Sequence, residues 1–436
     1  MQALTDTARL KLVHSVLVNK THGIITSLIE ENNHHDAPGL FVFNGLTVEA
    51  GYFCENRHGR RQDARNGSGA AFDRAGAMWA SFGEALERYA AFVPDRSGFV
   101  LASERDLGQE AVALGDFILF EQAQYERKEV PFARPDRSLP RNWVRARDLC
   151  SQADKFVPAV AVYLGVRLDH EHENIIQNTS SGLSCGATFE AALRGGLCEV
   201  LERDAFASMW QLMYSPPVLE IDDKALPLLD VGVQRALRNH SVPIHLWSIA
   251  TDTGIPIIMA MADSVHDGRI AFGSCANPDL TRAVNKAVVE ALHGLVWSNR
   301  VRNRGKPPPT RDEIASPSDH FAHYLDPSRR KFLDFLFEPN GRTSFHELAA
   351  RYPQKTVGQM IEHLKTLGRS VLSVDVTTAD VADLDLHVVR TIVPGLQPLL
   401  FGGNLVSRDE RRLRELSRYW GLPDVPEPNP APHPFP

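Results

Sequence analysis

Two stretches of the sequence repeat one pattern of charged residues. GEALERYAAF at residues 83–92 and CEVLERDAF at residues 198–206 both contain E-x-x-E-R. In a helix, side chains three positions apart lie on the same side, about 5–6 Å apart at Cβ. The two stretches therefore predict two carboxylate pairs, each followed by an arginine. These residues are Glu84, Glu87 and Arg88 in the first copy and Glu199, Glu202 and Arg203 in the second.

A third stretch offers related chemistry, because Glu290 and His293 have the same spacing in AVNKAVVEALHG. Clustered carboxylates are ligands for Mg²⁺, and Mg²⁺ accompanies nucleotide phosphates. An arginine beside them can bind phosphate oxygens in a bidentate manner. The alternative is that each E-x-x-E-R is an ordinary solvated helix face. Spacing alone leaves both interpretations open.

A second candidate site is GLSCG at residues 182–186, which matches the G-x-S-x-G of a hydrolase nucleophile elbow. The prediction places it between a strand and a helix, with Ser184 as the nucleophile. His266, His293 or His323, with a downstream aspartate, could complete a triad. A Gly/Ser turn before a helix is equally consistent with an ordinary tight turn or with a phosphate cradle.

Other metal sites receive less support. His170 and His172 of DHEHE would share one face of a strand, but zinc needs a further ligand that the sequence does not place, so a solvated loop or edge is favoured. The five cysteines contain no CxxC pair, which argues against a disulfide framework and a zinc ribbon. They are Cys54, Cys150, Cys185, Cys198 and Cys275.

Strand-like and helix-like segments alternate along the chain, which predicts an α/β or mixed α+β fold. Helices are predicted at 72–92, 187–210 and 281–298, and they carry the acids. Residues 1 to about 65 are expected to be an irregular lead-in, in which the stretch at 39–53 alternates enough to suggest strands. A Pro/Arg-rich linker near 300–320 precedes a C-terminal α/β portion. The other predicted elements are strands at 117–120, 156–166, 243–250 and 256–263, a strand entering a Ser/Gly turn at 175–187, and a turn at 272–280.

Composition limits the class of protein. Of 436 residues, 43% are hydrophobic and 23% charged, which excludes disorder as the dominant state. A net charge of −7 argues against a general nucleic-acid binder. We expect no membrane span, since no uncharged apolar run approaches about 18 residues. Charged residues interrupt the N-terminal stretch, so no secretory signal is expected and a cytoplasmic location is predicted.

The prolines are concentrated at the end of the sequence. Seven of the 28 lie in the last 16 residues, GLPDVPEPNPAPHPFP. Such spacing favours a stiff, extended polyproline II segment with Pro436 at its tip. The alternative is a disordered tail, or one that binds an aromatic groove on a partner.

Taken together, SFGEALERYAAF, SSGLSCGATFEAALRGGLCEVLERDAFASMW, AVNKAVVEALHG and the final PAPHPFP resemble the YcaO family. The resemblance is to its azoline-forming cyclodehydratases of thiazole/oxazole-modified peptide biosynthesis, the streptolysin-S and microcin type. It implies a YcaO-type fold with duplicated helix-on-sheet units around an ATP site. The implied organisation is a lead-in at 1–64, a YcaO domain at 65–420 and a Pro-rich tail at 421–436.

The resemblance also implies a site for ATP and Mg²⁺. The implied nucleotide contacts are Ser81, Glu84, Glu87, Ser181, Ser184, Glu190, Glu199, Glu202, Arg203, Glu290 and His293. The implied metal ligands are Glu84, Glu87, Glu199, Glu202 and Glu290. Four residues depart from what the family often has at those positions, namely Ser68, Ser181, Ala191 and His293.

The reaction implied is cyclodehydration of a ribosomally made precursor peptide. A Cys, Ser or Thr side chain attacks the preceding carbonyl, ATP phosphorylates the resulting oxyanion, and loss of phosphate leaves a thiazoline or oxazoline. Arg203 would neutralise charge, and the terminal carboxylate of Pro436 would act as a base. The alternatives are a thioamide- or amidine-forming YcaO enzyme, a non-catalytic YcaO-like scaffold subunit, and the serine hydrolase described above.

Partners follow from the resemblance as well. The sequence before residue 65 is too short for an E1-like peptide-recognition module, so a separate protein that binds the leader peptide is implied. A flavin dehydrogenase of the same bacteriocin-type pathway and a homodimer are further expectations. Neither a nucleic acid nor a membrane is expected as a partner.

Overall fold

The computed structural model describes residues 6–31, 36–49, 66–117, 119–120, 122–128, 130–407, 410–422 and 428–435. The helices are α1 (Asp6–Leu17), α2 (Arg74–Phe92), α3 (Glu104–Leu107), α4 (Gln122–Tyr125), α5 (Ala159–Val162), α6 (Phe189–Gln211), α7 (Val231–Leu237), α8 (Leu280–Asn303), α9 (Pro317–His323), α10 (Phe345–Arg351), α11 (Val357–Thr366), α12 (Ala379–Ala382) and α13 (Glu410–Tyr419). Within these described ranges, none of the helices is long and apolar enough to cross a membrane.

The strands form three sheets. They are β1 (Ile25–Glu30), β2 (Phe41–Thr47), β3 (Asn66–Ala71), β4 (Val100–Ala102), β5 (Arg141–Asp148), β6 (Asp154–Pro158), β7 (Leu183–Gly186), β8 (Val218–Glu220), β9 (Ile244–Ser248), β10 (Ile257–Asp263), β11 (Ile270–Ala276), β12 (Arg342–Ser344), β13 (Leu372–Asp375) and β14 (His387–Ile392). The first sheet has the order β1-β2-β3. The second has β4-β5-β13-β14-β7 with β6 beside β5, and the third has β11-β10-β9-β8-β12. The predicted mixed α/β class is confirmed.

Three strand–helix units repeat in this fold, one in each sheet. Strands β3, β7 and β11 each lie at the edge of their sheet and lead within a few residues into α2, α6 and α8. Each helix starts at a side-chain cap that accepts backbone N–H groups of the first turn, from Asp73, Thr188 and Asp279. The sequence predicted two related acid-bearing helices with a third acid–His pair. The structure presents all three as equivalent units.

Glycines allow the helices to lie directly on their strands. A Cβ on Gly67 of β3 would be 2.3 Å from the Ala85 backbone N, and one on Gly273 of β11 would be 2.4 Å from the Ala291 backbone N. Ala85 and Ala291 are each the twelfth residue of their helix. Any side chain at either glycine would push the helix away from the strand. The contact therefore fixes the height of α2 and α8 above their sheets.

Each unit helix buries its apolar face in its own core cluster. The helix residues and their sheet neighbours are Phe82 of α2 with Trp143, Phe206 of α6 with Met259, and Leu292 of α8 with Ile258. Burial of one face forces the opposite, acidic face of each helix outward from the core. Packing of the apolar faces thereby sets the direction in which the acid-bearing faces point.

The N-terminal stretch corrects one expectation. Residues 1–64 were expected to be an irregular lead-in with strands at 39–53. Strand β2 confirms those strands, but α1 and β1 lie there too, and β2 pairs with β3. Leu10, Val13 and Leu17 are buried at helical spacing in α1. The charged residues between them obscured that pattern in the sequence. The boundary expected after residue 64 thus falls between two strands of one sheet.

Several predicted strands also need correction. The apolar run at 156–166 ends as a strand at Pro158 and continues as helix α5, because a short buried run fits either structure. The segment at 272–280 was predicted as a turn, but β11 continues to Ala276. Phe117 ends a 3₁₀ turn at 114–117, so the strand predicted at 117–120 is wrong in the described residues. The predictions at 243–250 and 256–263 are confirmed by β9 and β10.

The C-terminal portion is not separate from the rest. Strand β13 pairs with β5, and β14 pairs with β7, across the segment near 300–320 that was predicted as a linker. The Pro-rich tail is packed as well. Ala431, His433 and Phe435 are buried, so residues 428–435 do not project as a free rod.

A buried ion pair attaches helix α13 to α6. The Arg412 side chain has no exposed surface, and its Nη2 lies 2.6 Å from Oδ2 of Asp204, which is also fully buried. Arg412 Nη2 also donates to Asp252 at 2.8 Å. Asp204 in turn accepts the Gln397 backbone N–H at 2.8 Å. This network anchors α6 at Asp204, the residue that follows Arg203.

We expect Arg412→Met to lower the free energy of unfolding by about 3–5 kcal/mol, because it leaves the Asp204 carboxylate buried without its cation. Arg418→Met is the matched control, since Arg418 is an exposed arginine of the same helix. Its effect should stay within about 0.5 kcal/mol. Urea unfolding followed by circular dichroism measures both. Equal effects of the two variants would show that the network does not stabilise the fold.

Candidate active site

The three unit helices surround one large cavity of about 2890 Å³. Small-molecule pockets usually measure about 300–1,000 Å³, so this cavity has room for more than one ligand. Five carboxylates from three helices reach it, together with cationic side chains. The lining acids are Glu84, Glu87, Glu199, Glu202 and Glu290, and the lining cations near them are Arg88, Arg194, Arg203 and Lys286.

The units are tied to one another in a ring. Glu87 of α2 accepts the backbone N–H of Cys185 in β7 at 2.8 Å. Glu202 of α6 accepts the backbone N–H of Ala276 in β11 at 3.2 Å. In the third tie, Nε2 of His293 in α8 lies 2.8 Å from the hydroxyl oxygen of Ser68 in β3.

The three ties come from equivalent positions. Glu87, Glu202 and His293 are each the fourteenth residue of their helix, and each reaches the strand of the next unit. The other acids, Glu84, Glu199 and Glu290, are each the eleventh. The E-x-x-E spacing thus supplies one carboxylate that closes the ring and one that remains nearer the cavity.

The acids at the eleventh position have local partners. Glu84 accepts the Ser68 backbone N–H at 2.6 Å and forms an ion pair with Arg88. Glu290 pairs with Lys286 at 3.4 Å. The remaining acid, Glu199, is described next. None of the three is fully buried, since 28–33% of each side chain is exposed.

Glu199 and Arg203 form a loose pair beside a loop. Their side chains are 3.6 Å apart, and Glu199 also accepts the Gly182 backbone N–H at 3.3 Å. Nε and Nη1 of Arg203 are buried and have no hydrogen-bond partner among the described residues. Buried guanidinium donors normally have hydrogen-bond partners, so Arg203 is suited to bind an anionic ligand.

Crowding of carboxylates changes the acidity of the ring. Burial, together with Glu199 and Glu84, raises the pKa of Glu87 to about 8. Burial and the neighbouring Glu290 raise the pKa of Glu202 to about 7. The Glu290 carboxylate raises the pKa of Lys286 well above its usual range. Burial lowers the pKa of His293, which favours its neutral form.

Two implied nucleotide contacts lie away from the cavity. The buried hydroxyl of Ser81 donates to the Gly67 carbonyl at 2.9 Å and so holds α2 against β3. Glu190 is exposed in the first turn of α6. Ser181, Ser184 and the remaining implied contacts do line the cavity. Roles for these residues in nucleotide binding stay predictions.

Lys286 and Arg194 line the same cavity, and the sequence interpretation did not single them out. A signal was available for Lys286, because it lies four residues before Glu290 on one helix face. Arg194 carries no such signal, since its position depends on how α6 packs over β7.

The nucleophile-elbow prediction is wrong in its structural context. An elbow places its serine on the sharp turn between a strand and a helix. Ser184 instead lies inside β7, paired with Val389 of β14, and the Ser/Gly turn comes before that strand. Its hydroxyl also packs against α6, since a Cβ on Gly195 would lie 2.2 Å from it.

The other metal and thiol candidates have different surroundings. His170 and His172 of DHEHE lie at a 3₁₀ turn instead of a strand and line the cavity with their rings stacked, the centroids 5.1 Å apart. Glu173 of the same motif is buried and accepts the backbone N–H of Asn142 at 2.9 Å. In the described part of the chain, no three His, Cys, Asp or Glu side chains are already arranged as metal ligands. Burial raises the pKa of Cys185 and Cys198 to about 12, so both are inert thiols. Cys54 lies outside the described residues.

The C-terminal tail ends at this cavity. The Phe435 ring lines the cavity wall and lies 4.5 Å below the Arg203 guanidinium, within cation–π distance. Trp210 Nε1 donates to the Ala431 carbonyl at 2.9 Å, and the Tyr324 hydroxyl donates to the Pro432 carbonyl at 2.6 Å. Pro436, the residue expected to carry the catalytic carboxylate, lies outside the described residues.

The raised carboxyl pKa values predict how stability depends on pH. In the folded protein the pKa values of Glu87 and Glu202 lie above the ordinary carboxyl pKa of 4.5. Both groups therefore bind protons more tightly in the folded than in the unfolded protein. The folded state therefore holds more protons than the unfolded state between that value and their raised pKa values, and its stability falls as pH rises through this window.

We expect the Tm of the metal- and nucleotide-free protein to fall as the pH is raised from about 7 to about 9, above the ordinary pKa of histidine, with Glu87 contributing through its desolvated carboxylate. Glu87→Gln should flatten that profile and raise the Tm at the alkaline end by about 2 °C or more. Differential scanning calorimetry in the presence of a chelator measures this. A mutant profile parallel to that of the wild type would contradict the assigned acidity.

Comparison with known proteins agrees with this arrangement. The model of the YcaO cyclodehydratase family, described as ATP- and Mg²⁺-binding, matches residues 66–397. An uncharacterised protein from the tfuA 3′ region of Rhizobium leguminosarum bv. trifolii is 29% identical over 356 residues, which is 76% of each chain.

Two solved structures share the fold. A heterocyclase in complex with substrate and cofactor superposes with a TM-score of 0.77 at 21% identity and covers 98% of this chain, which spans only 57% of the heterocyclase. The YcaO protein of Methanopyrus kandleri bound with AMPPCP and Mg²⁺ has a TM-score of 0.64 at 21% identity and covers 90% of this chain and 91% of its own. The family model spans most of the described fold, including all three acid-bearing helices. The chain therefore belongs to the YcaO family.

Proposed function

We propose that this protein uses ATP and Mg²⁺ to cyclodehydrate Cys, Ser or Thr residues of a ribosomally made peptide to thiazolines or oxazolines. The observation that carries the proposal is the convergence of five carboxylates and several cations in one cavity of about 2890 Å³. That volume exceeds the usual size of a single small-molecule pocket. It supports a site that holds a nucleotide and a peptide at the same time.

The acids fit a divalent cation. Oxygen ligands from carboxylates are those that Mg²⁺ takes, and the proposed ligands are Glu84, Glu87, Glu199, Glu202 and Glu290. The raised pKa of Glu87 and of Glu202 supports this, because a cation would relieve the repulsion between carboxylates that share a buried space. When bound, Mg²⁺ would neutralise charge on the nucleotide phosphates.

Cationic side chains would complete the phosphate site. Arg203 has buried, unpartnered donors, and Lys286 lies on the same wall beside Glu290. Phosphoryl transfer depends mainly on positioning and charge neutralisation, and donors held in place beforehand provide both. We propose that Arg203 stabilises the charge that develops on the phosphorylated oxygen. The Phe435 ring below Arg203 restricts the orientations open to its guanidinium.

The base remains assigned to the tail. Phe435 reaches the cavity beside Arg203. This supports the proposal that a carboxylate on Pro436 removes the proton of the attacking side chain. The hydrogen bonds to Ala431 and Pro432 hold the described part of the tail in place.

The proposed partners are a precursor peptide and a separate E1-like protein that presents its leader. The chain spans 57% of the heterocyclase found in complex with its substrate. A flavin dehydrogenase acting on the product, a homodimer and a cytoplasmic location complete the proposal.

Two other outcomes would use the same cavity. The second candidate is a thioamide- or amidine-forming reaction, which would use the same ATP site with a different nucleophile. The departures at Ser68, Ser181 and His293 keep the non-catalytic scaffold as the third. Mass spectrometry separates the first two, because each azoline ring loses one water whereas a thioamide exchanges oxygen for sulfur.

Glu202→Gln should lower peptide-dependent ATP turnover about 100-fold or more, because it removes one of the proposed Mg²⁺ ligands from the site of phosphoryl transfer. Glu362→Gln is the control, since Glu362 is an exposed acid on α11. Its turnover should equal that of the wild type. Release of inorganic phosphate measures both variants. Wild-type turnover in Glu202→Gln would favour the scaffold over the enzyme.

Extending the chain by one glycine beyond Pro436 moves the proposed base. We expect azoline formation to fall at least about 100-fold while ATP binding and Tm stay unchanged. Trimming the last five residues is a less specific test, because it also removes the buried His433 and Phe435 side chains and should lower the Tm. Wild-type azoline formation by the extended protein would rule out this base.

A further inference from the structure

A buried pair of histidines connects the tail to the cavity wall. His320 of α9 and His433 of the tail stack with ring centroids 3.9 Å apart. Both side chains are almost completely buried. The loop at residues 401–405 lines the cavity and lies next to the pair.

Hydrogen bonds fix which nitrogen of His320 carries the proton. The Gly402 backbone N–H donates to Nε2 of His320 at 2.8 Å, so Nε2 is unprotonated. Nδ1 then carries the hydrogen and donates to the His433 carbonyl at 2.9 Å. His320 is thus a neutral imidazole with one bond to the loop and one to the tail.

His433 closes the connection from the other side. Its Nε2 lies 2.9 Å from the Leu400 carbonyl and donates to it. Three hydrogen bonds therefore join three segments to one another in pairs: helix α9, the loop that begins at Leu400, and the tail. Two residues after His433, Phe435 lies under Arg203.

We propose that His320 is a positioning residue whose Nδ1–H sets the place of the C-terminal residues against Arg203 and whose Nε2 holds the cavity loop in register with them. The inference rests on the proposed function for its catalytic consequence, but its structural part does not. His320 is not one of the described residues that line the cavity. It acts through His433 and Phe435.

The neutral state of both rings agrees with this assignment. Burial lowers the pKa of His320 to about 4 and lowers that of His433 well below its usual range. A protonated Nε2 on His320 could not accept the Gly402 N–H. Burial therefore favours the neutral, two-ended form that the hydrogen bonds require.

Two variants of His320 separate its two bonds. Asparagine places an amide donor near the position of Nδ1, so His320→Asn should keep the bond to the His433 carbonyl and lose the one from Gly402. Glutamine reaches the position of Nε2, so His320→Gln should keep the loop bond and lose the tail bond. His323→Asn is the control, because His323 lies on the same helix and its Nδ1 faces the Pro309 carbonyl instead of the tail.

Hydrogen–deuterium exchange of the full-length variants measures the structural part. In His320→Gln, amide exchange at residues 429–435 should rise about fivefold or more, while the loop at 400–405 stays protected. In His320→Asn the loop should exchange faster and the tail should stay protected. Equal exchange of the tail in both variants, or no change in either, would overturn the proposal.

Steady-state kinetics measure the consequence for catalysis. His320→Gln should lower kcat for azoline formation about tenfold with KM for ATP within about twofold, and His320→Asn should stay near the wild type. A loss of kcat that is the same in both variants would indicate a general structural role and contradict the proposal. If the exchange pattern holds but the wild type forms no azoline, the proposed function fails while the positioning role of His320 stands.

Discussion

Burial of charged groups between the three strand–helix units is the constraint on which the site depends. A buried carboxylate needs hydrogen-bond partners, and a strand edge offers backbone N–H groups that no neighbouring strand uses. Glu87 and Glu202 take such donors from Cys185 and Ala276 of the next unit. Because each unit supplies the partner for its neighbour, no acid-bearing helix can shift without breaking a tie in another unit.

The same hydrogen bonds hold the carboxylates close enough together to repel one another. Packing of each helix on its own core cluster turns the acids toward a common cavity, where their mutual repulsion is only partly offset by Lys286 and Arg203. A cation bound among these carboxylates would relieve that repulsion. The third tie uses His293 and Ser68, which are neutral and polar, so it closes the ring without adding another negative charge.

Local patterns in the sequence were sufficient to find the acids, because E-x-x-E and the helical period are properties of one segment. The same local patterns also predicted strands β9 and β10 and the three unit helices. The strand that receives each carboxylate depends on which sheet edges meet, and no local pattern encodes that. The contacts of the tail could not be predicted for a related reason, since alternating prolines describe its stiffness but not the pocket that buries His433 and Phe435. The pairing of Lys286 with Glu290 could have been predicted from their spacing in the sequence. The contact between His293 and Ser68 could not, because it joins two distant segments.

The central claim is that the ring of buried acids binds a cation together with a nucleotide. Isothermal titration calorimetry of AMPPCP with Mg²⁺, near pH 7 and in buffers of different ionisation enthalpy, tests it most directly. The account predicts that binding requires Mg²⁺ and releases protons, because the cation displaces protons held by Glu87 and Glu202 at their raised pKa values. Binding that is independent of Mg²⁺ and gives the same heat in every buffer would contradict it.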